Sequence, residues 1–299
     1  MKMRYAVGID IGGTKISVGI VSSKGEIVGN IIKFPTLAYR PRELIIKDII
    51  DNIRNVVHYS GISLNMIDGI GIGSPGPLDS EKGIILNPRN LKTLHNFNIR
   101  KAIMSRLKKN VLVNNDANVF VLGESCFGAG REYKIVFGVT LGTGLGSGLV
   151  IDKKIYMGAT GTACEIWFSC FKDGVIEDYV SGEGIRKIYS EIARKPAPEP
   201  KEIADLAKKG DVYALDAWNE FGKYLGIILS YVVNIIDPEL IVIGGSLSKV
   251  YNFFYKEMNN NLRKHITPVP RKRLKIRLAK LGEKAPIIGA ASLILFDKN

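Results

Sequence analysis

The sequence predicts an α/β protein with two related lobes, each built from a sheet and helices, and three observations support this. Alternating apolar residues surround a glycine loop near the N-terminus, in YAVGIDIGGTKISVGIVSSKGEIVGN. The same order of strand, glycine loop, strand and charged turn returns in IVFGVTLGTGLGSGLVIDKKIYMG. Apolar residues at helical spacing occupy much of the remaining chain. Such a repeat indicates internal duplication, so we expect two lobes that face one another.

The first lobe is expected to span residues 1–114. Its N-terminal segment predicts two strands joined by the glycine loop, followed by a turn and a third strand. Apolar residues at helical spacing predict an amphipathic helix at 41–59. The segment IDGIGIGSPGPLD at 67–79 predicts a strand that runs into a loop, and a second helix is expected near 99–109.

The second lobe is expected to span residues 115–286, with a final helix at 287–299 that packs back on the first lobe. At the boundary, VLVNNDANVFVLGES predicts a buried strand, a polar corner and a helix. Helices are expected to dominate from the second glycine loop to about residue 236. The segment DPELIVIGGSLS then predicts a strand that ends in paired glycines before a helix at 249–263.

Composition excludes several classes of protein. With 299 residues, of which 46% are hydrophobic and 24% charged, the chain can bury its cores without disulfides or structural metals. Its three cysteines lack a CxxC spacing, which suits a reducing compartment. The apolar stretches are shorter than the roughly 20 residues that cross a bilayer, and Asp10 interrupts the N-terminal one. We therefore expect a cytoplasmic protein with no membrane partner.

The net charge of +13 raises the possibility of a nucleic-acid partner. The basic residues are scattered, however, and the densest cluster, PRKRLKIR at 270–277, alternates basic with apolar residues. This alternation predicts a strand with one solvated face. We interpret the cluster as a sheet edge protected by charge and expect no nucleic-acid partner.

Two glycine loops form the first candidate site. The first loop combines a carboxylate at a strand end with glycines, a hydroxyl and an ammonium group, in Asp10, Gly12, Gly13, Thr14 and Lys15. The second contains Gly142, Thr143 and Gly144. Glycines let backbone N–H groups approach an anion, although a tight hairpin would explain either loop alone. Two such loops suggest a bound nucleotide phosphate chain, with Asp10 holding Mg²⁺ through water.

Asp116, in the segment VNNDAN, lies where a strand gives way to a helix. It may be read simply as a helix N-cap, a position that aspartate favours. The alternative is a base that accepts a proton from a substrate hydroxyl, with Asn115 binding neighbouring hydroxyls. The local sequence alone favours the cap.

The motifs taken together resemble one family. They are DIGGTK at 10–15, GIGSPGPLD at 71–79, NDAN at 115–118, TLGTGLGSG at 140–148, GATGTACE at 158–165, SGEGI at 181–185 and PELIVIGGSLS at 238–248. In this order they resemble the ROK family (repressors, open reading frames and kinases). The resemblance implies the two-lobe actin-like ATPase fold, with a ribonuclease-H-like core and a central cleft. It also implies a hexokinase or glucokinase that transfers the γ-phosphoryl group of ATP to a sugar hydroxyl, usually at C6.

The same resemblance assigns roles to individual residues. It places ATP on the two glycine loops and on Gly244 and Gly245, for which a tight turn is the alternative explanation. It makes Asp116 the catalytic base. The sugar contacts that it implies are Gly76, Asn90, Asn115, Asp116, Glu165 and Glu177. An ordinary surface carboxylate remains an alternative for each glutamate.

The chain departs from the family pattern after Glu165. Family kinases usually continue with a glycine, a histidine and a cysteine-rich zinc loop, whereas this chain reads ACEIWFSCFKDGVIEDYVSG. Trp167 and Phe168 stand at the glycine and histidine positions, and only Cys170 remains near the loop. A four-ligand zinc site cannot be built from this set, so we expect none. The lost histidine leaves the sugar open between a glucose-type hexose, N-acetylmannosamine, fructose and allose.

Two other functions have the same fold. One is a DNA-binding repressor of this family, which needs a helix-turn-helix domain before the phosphate loop, and here that loop begins at residue 10. The other is a non-catalytic, nucleotide-dependent regulator, which the Asn115-Asp116 pair disfavours. Since family members are often dimers or tetramers, the resemblance also implies a homo-oligomer.

Overall fold

The computed structural model describes residues 3–88 and 90–297. These residues divide into two units. The first contains the described chain up to Lys134, then Leu149–Ala163, then the described chain from Ala279; the second contains Ile135–Gly148 and Cys164–Leu278. The predicted boundary at residue 114 therefore falls inside the first unit, because the helix that begins at Asp116 packs against the C-terminal helix of that unit.

Most elements of the first unit precede residue 134. In chain order they are β1 (Tyr5–Ile11), β2 (Lys15–Ser22), β3 (Ile27–Pro35), α1 (Arg42–Tyr59), β4 (Ile67–Ser74), β5 (Leu78–Asp79), β6 (Ile84–Ile85), β7 (Phe97–Asn98), α2 (Ile99–Leu107), β8 (Asn110–Asn115) and α3 (Asp116–Phe127).

The elements that follow belong mainly to the second unit, although β10 runs from the second unit into the first, and β11 and α9 lie in the first. They are β9 (Ile135–Leu141), β10 (Leu145–Ile151), β11 (Lys154–Ile155), β12 (Cys170–Phe171), β13 (Gly174–Val175), α4 (Gly182–Ala193), α5 (Pro200–Lys208), α6 (Val212–Ile236), β14 (Leu240–Gly244), α7 (Tyr251–His265), α8 (Pro268–Arg273), β15 (Lys275–Leu278) and α9 (Ala285–Leu295). Short 3₁₀ helices include Ile166–Phe168, Ile176–Asp178 and Ser246–Val250.

The two five-stranded sheets have the same order of strands. The first is β3-β2-β1-β4-β8, with β1 antiparallel to β2 and parallel to β4. The second is β11-β10-β9-β14-β15, with β14 parallel to both β9 and β15. In each sheet the first three strands in this order form a meander. The last two strands run parallel to the third, so that they follow β1 in the first sheet and β9 in the second. This repeated order is the duplication that the two glycine loops predicted.

The C-terminal helix α9 lies directly on the first sheet. Apolar residues of α1 and α2 fill the core on one face of that sheet. On the other face, Ile287, Ile288 and Ala291 of α9 are buried. Backbone approaches backbone here, because a Cβ atom at Gly8 would overlap the Ile287 carbonyl oxygen and one at Gly71 would overlap that of Ala290. The helix thus supports β1 two residues before Asp10.

The basic segment 270–277 differs from its prediction. Its first half belongs to the short helix α8, and only Lys275–Leu278 forms a strand, β15, at the edge of the second sheet. Pro268 occupies the first turn of α8, where the missing proline N–H costs nothing. The alternation of charge therefore extended the predicted strand too far toward the N-terminus. No helix among the described residues is long and apolar enough to cross a bilayer.

Candidate active site

The first glycine loop joins β1 to β2 in a tight hairpin. The Gly12 N–H donates to the Lys15 carbonyl at 2.9 Å. Thr36, which is fully buried, holds the loop from the side, since its hydroxyl donates to the Gly12 carbonyl at 2.7 Å and its N–H donates to the Thr14 carbonyl at 3.0 Å. Thr36 belongs to no motif, so the sequence offers no signal for this role.

Gly13 brings Asn90 to this loop. A Cβ atom at Gly13 would lie 2.7 Å from Asn90 Cβ, so the close approach requires glycine. Asn90 is exposed beside the loop. The structure thus places one predicted sugar contact against the predicted phosphate loop within the same unit.

Asp10 ends β1 beside this loop, with Gly73 of β4 as its neighbour in the sheet. Burial and, to a smaller extent, the charge of Asp116 raise the pKa of its carboxyl group to about 6, while the charge of Lys15 opposes the shift. The two carboxylates are therefore close enough to interact electrostatically. Such a pair favours either a shared proton or a bound cation.

Asn115 caps helix α3, which settles one of the alternatives for Asp116. The Asn115 side-chain oxygen accepts a hydrogen bond from the Ala117 N–H at 2.9 Å. Asp116 is the first helical residue, and its Oδ1 accepts from the same N–H at 2.8 Å. Asn115 therefore holds the N-cap position and Asp116 does not, although the Asp116 side chain also accepts from a first-turn N–H.

The Asp116 side chain is exposed to solvent. Its pKa is nevertheless raised, because the surrounding protein limits the bulk water that can stabilise the charge; the neighbouring backbone N–H groups oppose this effect. An accessible carboxylate with a raised pKa has the properties of a general base near neutral pH.

A buried amide network holds the Asn115-Asp116 corner. Asn114 Oδ1 accepts from the Asn115 N–H at 2.8 Å and from Asn118 Nδ2 at 3.1 Å. Gly76 lies against the other side of the corner, since a Cβ atom there would be 3.3 Å from Asn115 Nδ2. The first unit therefore gathers Gly76, Asn115 and Asp116, all predicted as substrate contacts. Asn114 directly precedes the NDAN motif and Asn118 is its last residue, and neither was predicted as a site residue.

In the second unit, the second glycine loop joins β9 to β10. The Gly142 N–H donates to the Gly144 carbonyl at 3.0 Å, and the Gly142 carbonyl accepts from the Gly182 N–H at 2.7 Å. Glu177 Oε2 accepts from the Leu145 N–H at 2.8 Å, and a Cβ atom at Gly144 would overlap this carboxylate. Glu177 therefore supports the second glycine loop directly.

The paired glycines Gly244 and Gly245 follow β14 beside the same loop. Gly245 has a φ of 85°, and a Cβ atom on it would overlap the Leu141 backbone. Its carbonyl accepts from the Ser248 hydroxyl at 2.7 Å. The tight turn thus requires Gly245, whether or not a nucleotide binds there.

Glu165 follows a residue in the left-handed region, Cys164, with a φ of 68°. The Cys164 carbonyl accepts hydrogen bonds from the Ser147 hydroxyl and from the Ile166 N–H. Burial and the Glu165 charge raise the pKa of the Cys164 thiol to about 11, so this cysteine is an unreactive thiol. Trp167 Nε1 donates to Glu165 Oε2.

Zinc and magnesium place different demands on protein ligands. Within residues 3–88 and 90–297, no group of three or more His, Cys, Asp or Glu side chains is placed to hold a metal ion. A structural zinc needs four such ligands. Mg²⁺ needs only one or two carboxylates together with substrate phosphates and water, and Asp10 beside the first loop could supply such a carboxylate.

Aromatic packing fills the region where the zinc loop of the family would stand. Phe171, Tyr179 and Tyr224 lie edge to face, with ring centroids 5.5 to 5.7 Å apart. Lys172 Nζ lies 4.5 Å from the Tyr224 ring centroid and 4.9 Å from that of Tyr179, and it donates to the Tyr224 hydroxyl at 2.7 Å. This aromatic cluster joins the hairpin of β12 and β13 to helix α6.

A repeated sheet of this strand order, with a glycine loop in each of two hairpins, defines the actin-like ATPase fold. The chain matches the model of the ROK family over residues 6–296. It is 31% identical to a glucokinase of Thermotoga maritima, covering 96% of each chain. It is 30% identical to an N-acetyl-D-glucosamine kinase of Photobacterium profundum, covering 96% of this chain and 98% of the relative.

A solved structure of a relative also matches this chain. The ROK family glucokinase of Streptomyces griseus, in complex with glucose and AMPPNP, has a TM-score of 0.77 and 28% identity, with 98% of this chain and 100% of that chain covered. The chain therefore belongs to the ROK family, and it is a sugar kinase of that family.

Proposed function

We propose that the protein is an ATP-dependent hexokinase of glucokinase type, which transfers the γ-phosphoryl group of ATP to the C6 hydroxyl of a hexose. The observation that carries the proposal is Asp116, an accessible carboxylate with a raised pKa that is not the helix cap. The glucokinase of T. maritima and the S. griseus glucokinase that binds glucose and AMPPNP support the choice of sugar and nucleotide.

In this proposal Asp116 accepts the proton of the C6 hydroxyl as that oxygen attacks the phosphorus. A raised pKa makes the carboxylate a stronger base than an ordinary aspartate. Asn115 holds a neighbouring hydroxyl by its free amide face, and Asn90 and the Gly76 backbone add contacts. Glu165 and Glu177 accept hydrogen bonds from further hydroxyls, and in the case of Glu177 this role accompanies its support of the second glycine loop.

The phosphates of ATP would be bound by the N–H groups of the two glycine loops. Thr14 and Lys15 supply a hydroxyl and a positive charge on the first loop, and Thr143 a hydroxyl on the second. Gly244 and Gly245 border the adenosine. Asp10 would hold Mg²⁺ through water, and when bound the ion neutralises part of the phosphate charge. The net charge of +13 favours anionic ATP and sugar phosphate in the same way.

A second candidate substrate is an N-acetylhexosamine, since N-acetyl-D-glucosamine kinases are as similar to this chain as glucokinases. ADP release measured over glucose, mannose, fructose, allose, N-acetylglucosamine and N-acetylmannosamine distinguishes the candidates. We expect the highest kcat/KM with glucose. Nucleotide binding without ADP release for any sugar would contradict the proposal and favour a non-catalytic regulator.

We also propose that the enzyme is a cytoplasmic homo-oligomer, a dimer or a tetramer, without a nucleic-acid partner. Light scattering coupled to gel filtration tests the oligomeric state, and a monomer at micromolar concentration would contradict it. Gel-shift titration with duplex DNA at 150 mM salt tests the absence of nucleic-acid binding.

A further inference from the structure

Two adjacent aromatic side chains follow the predicted sugar ligand Glu165. Trp167 and Phe168 lie in the 3₁₀ helix Ile166–Phe168, with ring centroids 5.2 Å apart and an angle of 58° between the planes. Trp167 is half-buried, whereas the Phe168 ring is 68% exposed. The pair presents an apolar surface immediately beside a carboxylate.

The indole group of Trp167 fixes the orientation of that carboxylate. Trp167 Nε1 donates to Glu165 Oε2. An indole N–H can only donate, and the acceptor here is a charged carboxylate. The bond is therefore directional and stronger than a hydrogen bond between neutral groups. It holds one oxygen of the Glu165 carboxylate in place.

The backbone around the pair is anchored on both sides. On the N-terminal side, the Cys164 carbonyl accepts from the Ser147 hydroxyl of β10. On the C-terminal side, the Ser169 carbonyl accepts from the Ile176 N–H at 3.0 Å. The helices Ile166–Phe168 and Ile176–Asp178 also pack against each other. Carboxylate and rings are therefore presented in one fixed arrangement, as a preorganised ligand site requires.

We propose that Trp167 is a positioning residue for Glu165 and that the Trp167–Phe168 pair is the surface on which the pyranose ring of the sugar packs. The inference rests on the proposed function, in which Glu165 binds sugar hydroxyls. A pyranose has polar hydroxyls at its edge and apolar C–H groups on its faces, and a carboxylate beside an aromatic pair matches both. The substrate class is a hexopyranose with equatorial hydroxyls, since an axial hydroxyl places a polar group on the face that meets the rings.

Fluorescence provides a test that is independent of turnover. The chain has two tryptophans, Trp167 and Trp218, and Trp218 is completely buried beside Phe221 and Phe254. Addition of glucose without nucleotide should change the tryptophan emission of the wild type. W167F should lose this response, whereas the matched variant W218F, altered away from the site, should retain it.

Kinetics provide the second readout. W167F keeps a ring but lacks the N–H, and F168A removes an exposed ring whose loss leaves the core intact. Each should raise the KM for glucose about tenfold with little change in the KM for ATP. Both should also reduce the preference for glucose over allose, whose C3 hydroxyl is axial.

The two proposals fail in different ways. A wild-type enzyme that neither binds nor phosphorylates any sugar would overturn the proposed function. If the wild type is active, either of two results would overturn this inference alone. The first is that F168A and folded W167F keep the wild-type KM for the sugar and the wild-type discrimination against allose. The second is that W167F keeps the emission response. If circular dichroism shows that W167F does not fold, the kinetics of F168A and the tryptophan emission of W218F test the inference.

Discussion

The carboxyl group of Asp10 is held in its protonated form up to about pH 6 by its burial and by the neighbouring charge of Asp116. In the free enzyme, two acidic groups therefore share a region that favours a single negative charge. A magnesium ion with bound phosphates would reverse this preference, because positive charge favours both ionised carboxylates. In the proposed function, binding of nucleotide and magnesium would therefore be coupled to ionisation of Asp10.

The first prediction concerns stability and pH. Asp10 has a folded-state pKa above its ordinary value of 3.8, so its ionisation destabilises the folded state as the pH rises through about 6. Asp10→Asn removes this cost, and the variant should be more stable than the wild type at pH 8 by up to about 3 kcal/mol, since one pKa unit corresponds to about 1.4 kcal/mol. Below pH 4 the two should be equally stable.

Urea denaturation from pH 3.5 to 8, without nucleotide or metal, measures this difference. Asp79→Asn is a suitable control, because the Lys82 backbone N–H lowers the pKa of half-buried Asp79, so that ionisation of Asp79 stabilises the folded state instead. An Asp10→Asn variant that is less stable than the wild type at pH 8 would contradict the assignment.

The second prediction concerns catalysis. Asp116→Asn keeps the shape of the side chain but cannot accept a proton, so kcat should fall about 10²- to 10⁴-fold while ATP binding persists. In the wild type, kcat/KM should rise with pH through an acidic limb above the ordinary aspartate range, because the surrounding protein limits hydration of the Asp116 carboxylate and so raises its pKa. Stopped-flow ADP release and calorimetric titration with an ATP analogue check both points. Near-wild-type turnover by the variant would exclude Asp116 as the base.

The third prediction concerns a buried glutamate of α3 that no motif marks. Glu124 is completely buried, and its carboxylate accepts hydrogen bonds from the backbone N–H groups of Ala129, Lys280 and Leu281 at 2.8 to 3.0 Å. Glu124→Ala leaves these donors unsatisfied and should destabilise the protein by about 3–5 kcal/mol. Glu124→Gln should cost less, since it retains an acceptor. Exposed Glu132→Ala serves as the control in chemical denaturation, and equal effects at both positions would refute the role.

The fourth prediction separates steric from conformational effects of glycine. Gly71→Ala forces a methyl group into the Ala290 carbonyl and should cost about 3 kcal/mol or more, because α9 must move off the sheet. Gly61→Ala provides the comparison, since Gly61 has a φ of 69° but no neighbour within 4 Å. Its cost should be about 1 kcal/mol. Thermal unfolding of both variants measures the difference, and similar values would show that α9 adapts.

The fifth prediction concerns the aromatic cluster that occupies the zinc-loop region. The ammonium group of Lys172 lies over two tyrosine rings at a largely exposed site, so Lys172→Met should destabilise the protein by no more than about 1 kcal/mol. Incubation with EDTA should leave the melting temperature of the protein as purified unchanged, since the cluster needs no metal. A large fall in melting temperature with EDTA would contradict this account.

Local patterns predicted the elements well, and contacts between distant segments account for what they missed. Helix α1 was predicted at 41–59 and occurs at Arg42–Tyr59, because its apolar periodicity is a local property. Whether Asn115 or Asp116 is the N-cap residue depends on the side-chain geometry of two adjacent residues. Helix propensity does not distinguish them, because both residue types favour the N-cap. The contacts of Thr36 with the Gly12 loop and of Glu177 with Leu145 join segments far apart in sequence, and no periodicity encodes them.

The contact between β1 and α9 has a consequence for biosynthesis. Strand β1 precedes α9 in the chain and therefore leaves the ribosome before it. Because Gly8 and Gly71 meet the backbone of α9, the sheet that carries the Asp10 loop stays uncovered on one face until α9 has been synthesised. The first glycine loop therefore acquires its support late, and nascent chains must keep this apolar face from aggregating in the meantime.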